Sequence, residues 1–173
     1  MKKTLCLILI LSVMLILLGC HYREGGEILE PVEFFYPRKS SSFIYGSSEG
    51  VIAPEVREAS GHRNDLPYLI TMYLRGPQND NLRSPFPAGC ALDEIRTDHD
   101  TLYIRLSSEF TDLEGTEMTL ACASFAKTCL AITDYKYIHI NSQSNDKVFS
   151  IQLDTGNLLF ADRSAFGTHA TEN

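Results

Sequence analysis

Several groups of side chains in this 173-residue chain are of types that could do chemistry. The sharpest is Asp154-Thr155-Gly156, the triplet with which an aspartic protease of the retroviral kind brings two carboxylates together to share one proton. One copy would need a dimer to supply the second carboxylate. A polar hairpin turn with glycine at positive φ accounts for the same residues. Histidines stand at 21, 62, 99, 139 and 169, and no helical or finger-like spacing joins them, so no metal set is expected. His99 lies between Asp98 and Asp100 in a solvated turn, and His139 alternates with Ile138 and Ile140 as a surface or helix-covered residue would. Ser107 and Ser108 lack the glycine-flanked elbow and the neighbouring base of a nucleophilic serine. Cys122 and Cys129, about 10 Å apart along one apolar helical face, are too distant for a disulfide and too dry to be ready thiolates. With Cys90 they read as small buried hydrophobes. No catalytic set, cofactor site or metal site emerges, and a protein that is not an enzyme is expected.

Cys20 has the most specific setting. Lys2 and Lys3 are followed by an almost unbroken apolar run from Leu5 to Leu18 and then by Gly19-Cys20. As a helix that run rises only about 21 Å, short of the ~30 Å hydrocarbon core, so a cleaved leader is favoured over a permanent span. Leu17-Leu18-Gly19-Cys20 resembles the lipobox of bacterial lipoproteins, in which the cysteine becomes the acylated first residue. The expected organisation is a signal peptide over 1–19, an acylated N-terminus and tether over 20–31, one domain over 32–160, and a loose tail over 161–173. The membrane is then a partner through lipid on Cys20, on the extracytoplasmic face. Loss of Lys2 and Lys3 takes the formal charge from −7 to about −9, which excludes nucleic acid as an expected partner.

The elements that would position these residues follow from periodicity and punctuation. Asp65 is a candidate N-cap, Pro67 fits a first turn, and Leu66, Leu69, Ile70, Tyr73 and Leu74 share one helical face. Gly76 and Pro77 end that helix. The stiff connection Ser84-Pro85-Phe86-Pro87-Ala88-Gly89 holds Phe86 in a fixed place, either as a plug beneath the loop or as an exposed aromatic anchor for a partner protein. Strands are expected over Val32–Tyr36, Phe43–Tyr45 and Gly50–Glu58, the last with Glu55 and Arg57 alternating against Val56. A hairpin spans 91–106, its dry face carrying Leu102, Ile104 and Leu106. Thr111 and Glu114 form a candidate capping box before Gly115 interrupts. A second helix runs from about Thr116 to Ile132 with Met118, Cys122, Phe125, Cys129 and Ile132 buried. A strand over 136–140, a polar loop over 141–147, and a terminal hairpin pairing 148–153 with 158–160 complete the chain. The sum is an α+β, two-layer sandwich: two helices on one face of a mostly antiparallel mixed sheet.

The order of landmarks resembles the GerMN domain, found in sporulation and germination lipoproteins and other bacterial envelope proteins. The matching residues are the helix ending in Leu74-Arg75-Gly76-Pro77, the loop Ser84-Pro85-Phe86-Pro87-Ala88-Gly89, the strand closing in Leu106-Ser107-Ser108-Glu109-Phe110, and the alanine-rich helix before Tyr137-Ile138-His139-Ile140. They span roughly residues 32–141, and the hairpin after Val148 lies beyond the pattern. The resemblance implies a non-enzymatic module shaped like the ring-building motifs of secretion and sporulation machines, with envelope proteins as partners and no catalytic residues to transfer. The aromatic surplus over 34–45 supports a different expectation, a lipoprotein that binds a small ligand or cell-wall fragment.

Overall fold

The computed structural model describes residues 30–39 and 50–156. Strand β1 (Pro31–Pro37) is bounded by prolines and pairs antiparallel with β2 (Ile52–Glu58), in register from Pro31 opposite Glu58 to Pro37 opposite Ile52. Helix α1 (Leu66–Leu74) starts where expected: the Asp65 carboxylate accepts from the Tyr68 amide at 3.1 Å. It stops at Gly76, whose φ of +89° is open to glycine at little cost. Strands β3 (Leu92–Asp98) and β4 (Thr101–Leu106) form a hairpin through His99 and Asp100, with His99 itself at positive φ. A 3-10 helix (Ser108–Asp112) and the long helix α2 (Gly115–Ile132) then carry the chain to β5 (Tyr137–Gln143), which lies parallel to β4. Strand β6 (Val148–Leu153) returns antiparallel beside β5, so the larger sheet has the order β3-β4-β5-β6.

The main core cluster is centred on Tyr73 of α1, with a smaller one formed by Ile52, Leu120 and Ala123. The Tyr73 ring lies 5.6 Å from Phe34, 4.7 Å from Tyr36, 5.3 Å from Phe86 and 5.8 Å from Phe125. Its polar end is satisfied, the hydroxyl donating to the Phe35 carbonyl at 2.7 Å, while its own carbonyl accepts from the Tyr36 hydroxyl at 2.8 Å. Leu102, Ile104, Leu106, Ile138 and Ile140 line the inner face of the larger sheet, each fully buried. Helix α2 is buried almost all round from Leu120 to Ala126, where small residues (Ala121, Ala123, Ser124, Ala126) allow close approach to β1 on one side and β5 on another.

The expected sandwich is present, with local differences. The strands divide into sheets of two and four, because the free edge of β1 is occupied by α2: the Phe35 amide donates to the Thr128 hydroxyl at 2.9 Å instead of to another strand. Strand β6 takes β5 as its hairpin partner across a loop closed by Ser144 and Lys147. Thr155 and Gly156 are helical, and the expected strand over 158–160 lies outside the described residues, as do Phe43–Tyr45 and everything before Glu30. No capping box forms: the Thr111 hydroxyl donates to the Ser108 carbonyl at 2.8 Å within the 3-10 helix, and Gly115, at φ +55°, opens α2 instead of interrupting it.

The polarity of β2, which the sequence alternation left open, is the reverse of that in the larger sheet over Glu55–Arg57. Glu55 and Arg57 point inward, 9% and 7% exposed, and Val56 points out at 52%. The reason lies across from them, at the C-terminal end of α1. Arg57 donates to the carbonyls of Met72 at 3.3 Å and Gly76 at 2.6 Å and to the Tyr36 hydroxyl at 3.2 Å. Glu55 pairs with Arg57 and accepts from the amides of Gln78 at 2.9 Å and Asn79 at 2.7 Å. The pair thus satisfies backbone groups that a helix end and its exit turn would otherwise leave orphaned. The guanidinium also lies over Phe34 and Tyr36, 5.3 and 5.6 Å from their ring centroids.

Candidate functional site

Phe86 resolves in favour of the core. It is 8% exposed and sits edge-on to Tyr73 at 5.3 Å and to Phe125 at 5.8 Å. The Ser84 hydroxyl accepts from the Phe86 amide at 3.1 Å and fixes the loop. Of the two roles open to Phe86, a plug beneath the loop or an exposed anchor for a partner, burial selects the plug: the rigid proline frame turns the ring inward, where it bridges α1 and α2. Cys20 precedes the described residues.

The other reactive side chains stay apart. Cys122 and Cys129 are buried, Cys90 is half-buried, and all three are free thiols. Burial pushes Cys122 up to about 12 and raises Cys129 further; burial, then the nearby Glu109 charge, pushes Cys90 up to about 12. At neutral pH such thiols are poor nucleophiles. His99 is exposed and pairs with Asp98 at 2.6 Å, and His62 stacks on Tyr68 at 3.9 Å between centroids. Ser107 is structural: its hydroxyl accepts from the Ala91 amide at 2.9 Å, and its carbonyl accepts from the Ser142 hydroxyl at 2.7 Å. Asp154-Thr155-Gly156 ends β6 at the rim of an open depression of about 540 Å³. Among the described residues no three His, Cys, Asp or Glu side chains converge as a metal site requires, and no helix among them is long and apolar enough to cross a membrane.

The structure does bring together one set of residues, on the outer face of the larger sheet. Alternation along β4 and β5 turns Leu102, Ile104, Ile138 and Ile140 inward, so Tyr103, Arg105, His139 and Asn141 face out. Register then aligns Arg96, Tyr103, His139 and Gln152 in one row, with Glu94, Arg105, Asn141 and Ser150 in the next. Within the first row the Arg96 guanidinium lies 5.9 Å from the Tyr103 ring centroid, and Tyr103 is 5.1 Å from the His139 ring. Glu94 joins Arg96 at 3.2 Å to Arg105 at 2.9 Å, and Ser150 is 3.1 Å from His139 Nε2. At the end of the face the Asp100 carboxylate accepts from Lys136 at 2.7 Å, and that hydrogen bond raises the lysine pKa. Neither helix covers this face, which offers rigid aromatic and arginine side chains of the kinds enriched at interfaces.

The sequence disclosed the wet sides of β4 and β5 separately, since Tyr103 and Arg105 alternate with apolar residues and His139 with isoleucines. It did not disclose that they are one surface. That depends on the parallel pairing of Tyr103 with His139, between residues far apart in the chain. Alternation put Glu55 and Arg57 on one face of β2 without disclosing that this face is buried; the carbonyls at the end of α1 and the amides of the turn after it explain that burial.

No curated protein sequence matches the chain significantly. Among solved structures, the crystal structure of a Clostridium perfringens protein provisionally described as a lipoprotein is similar with a TM-score of 0.46 at 16% identity, over 73% of this chain and 88% of that one. The family model of the Germane (GerMN) domain, described as "Sporulation and spore germination", matches residues 35–146, from the middle of β1 to the loop before β6. With that match covering most of the described fold, the chain belongs to the Germane family of sporulation and spore germination domains.

Proposed function

We propose that the protein is a lipid-anchored, non-enzymatic assembly module of the cell envelope, acting in sporulation or germination. The observation that carries this reading is the family match over 35–146. The open face around Tyr103, Arg96 and His139 supports it, because a flat, prearranged aromatic and charged sheet face suits a protein partner better than a small molecule. The lipobox-like Leu17-Leu18-Gly19-Cys20 supplies the anchor, several acyl chains giving a stable hold on the membrane, and export by the apolar leader before it accounts for the extracytoplasmic side. The small-ligand reading loses part of its motive, since Phe34 and Tyr36 are fully buried.

Two experiments test the proposal. A photo-crosslinking amino acid at Tyr103 in cells should recover a discrete envelope protein. No protein adduct, together with a clear thermal shift on adding peptidoglycan fragments, would favour the ligand-binding reading and sink this one. Labelling with a palmitate analogue should mark the wild-type chain and not the Cys20→Ala variant; equal labelling of both would remove the anchor.

A further inference from the structure

The outer face of the larger sheet carries an imbalance of charge. One oxygen of the Glu94 carboxylate pairs with the Nε of Arg96 at 3.2 Å, and the other pairs with a terminal nitrogen of Arg105 at 2.9 Å. A single carboxylate therefore serves two guanidiniums, whose side chains are 67% and 50% exposed. Both terminal nitrogens of Arg96 have no hydrogen-bonding partner among the described residues, nor do the Nε and second terminal nitrogen of Arg105. The other acids nearby are engaged or turned elsewhere. Asp98 pairs with His99 and Asp100 with Lys136, while Asp93 lines a separate cleft on the other side of Arg105.

Glu94, Arg96, Tyr103, Arg105 and Asn141 enclose a notch of about 20 Å³, room for one water or one carboxylate oxygen. Its donors are held in advance, Arg96 by Glu94 and the Tyr103 ring, and Tyr103 in turn by contact with His139, so little side-chain freedom remains to be lost on binding. The notch is far smaller than a small-molecule pocket of ~300–1,000 Å³. A polyanionic surface would meet the field of the whole chain, whose formal charge is −7, and be repelled. One acidic side chain meets only the charges within a Debye length of about 8 Å, where two arginines face one glutamate. We propose that the notch between Arg96 and Arg105 takes a carboxylate side chain from an acidic segment of a partner protein. This rests on the reading of the face as a protein interface and supplies the partner's chemistry: an aspartate or glutamate held by both guanidiniums beside the Tyr103 ring, where charge-assisted pairing is strongest.

A photo-crosslinking phenylalanine at Tyr103 of the full chain, in cells, tests this, with the adduct mapped by mass spectrometry. The linked segment is expected to belong to a different protein and to carry an aspartate or glutamate close to the link. Arg96→Gln with Arg105→Gln should lower the adduct yield about tenfold at an unchanged urea midpoint. A linked segment without acidic residues, a link to a second copy of this chain, or an unchanged yield in the double variant overturns the proposal and leaves the assembly reading standing. Absence of any protein adduct removes both. Should the double variant unfold, a synthetic peptide of the recovered segment decides. Changing its acidic residue to the matching amide should weaken binding to the wild-type chain about tenfold, and equal binding overturns the proposal.

Discussion

Over Glu55–Arg57, β2 uses the same alternation as the larger sheet with opposite polarity, while its partner β1 buries Val32, Phe34 and Tyr36. In the larger sheet the inward residues of β4 and β5 are aliphatic and the outward ones polar or aromatic. In β2 the inward residues are Glu55 and Arg57, and the outward one between them is Val56. The larger sheet meets side chains across its core, so burial of apolar surface decides its polarity. Strand β2 meets the end of α1 and the turn after it, where carbonyls and amides have run out of helical partners. There a buried pair that supplies both donors and acceptors wins over an apolar residue that would leave four backbone groups unpaired. Alternation fixes which residues share a face; the chemistry of the opposing surface decides which face is inside.

The largest effect should come from breaking the inverted strand. Arg57→Ala leaves Glu55 buried without its cation and is expected to cost about 3–5 kcal/mol in urea unfolding. Replacing both residues with methionine sharpens the point: many buried ion pairs tolerate such a swap, but here the carbonyls of Met72 and Gly76 and the amides of Gln78 and Asn79 lose their partners as well. The double variant should remain clearly less stable than wild type, and parity with wild type would refute this account of β2. Next, Ile140→Ala on the dry side of the larger sheet should cost about 2–5 kcal/mol by cavity formation; a loss below about 1 kcal/mol would mean that burial does not set that sheet's polarity. The smallest effect belongs to Val56→Thr, a β-branched exchange at an exposed position, which should stay within about 0.5 kcal/mol of wild type. A large loss there would show that a further element rests on the outer side of β2.

Much of the fold could be read along the chain because its cues are local. Asp65 and Gly76 bracket α1 as expected, and the hairpin around His99 follows from alternation on either side of Asp98-His99-Asp100. What escaped was relational. The side to which Phe86 turns depends on the cleft between Tyr73 and Phe125. The separation of β1 and β2 from the other strands depends on a hydroxyl of α2 reaching a β1 amide. The candidate interaction face was half-visible for the same reason: each strand announces its polar side, and nothing in either announces which strand lies next to it.

The parallel seam at the centre of the larger sheet has a consequence in polymer terms. Both of its hairpins close short loops, but Thr101 meets Tyr137, 36 positions further along the chain, a closure whose length-dependent entropy alone is about 3 kcal/mol. Half of the chain between them forms α2, 18 residues long. A helix that size is a rod of about 27 Å, so once it forms, the search for the seam is no longer that of a flexible loop. The helix that fills the middle of the finished molecule is also the strut that measures the distance between its two hairpins.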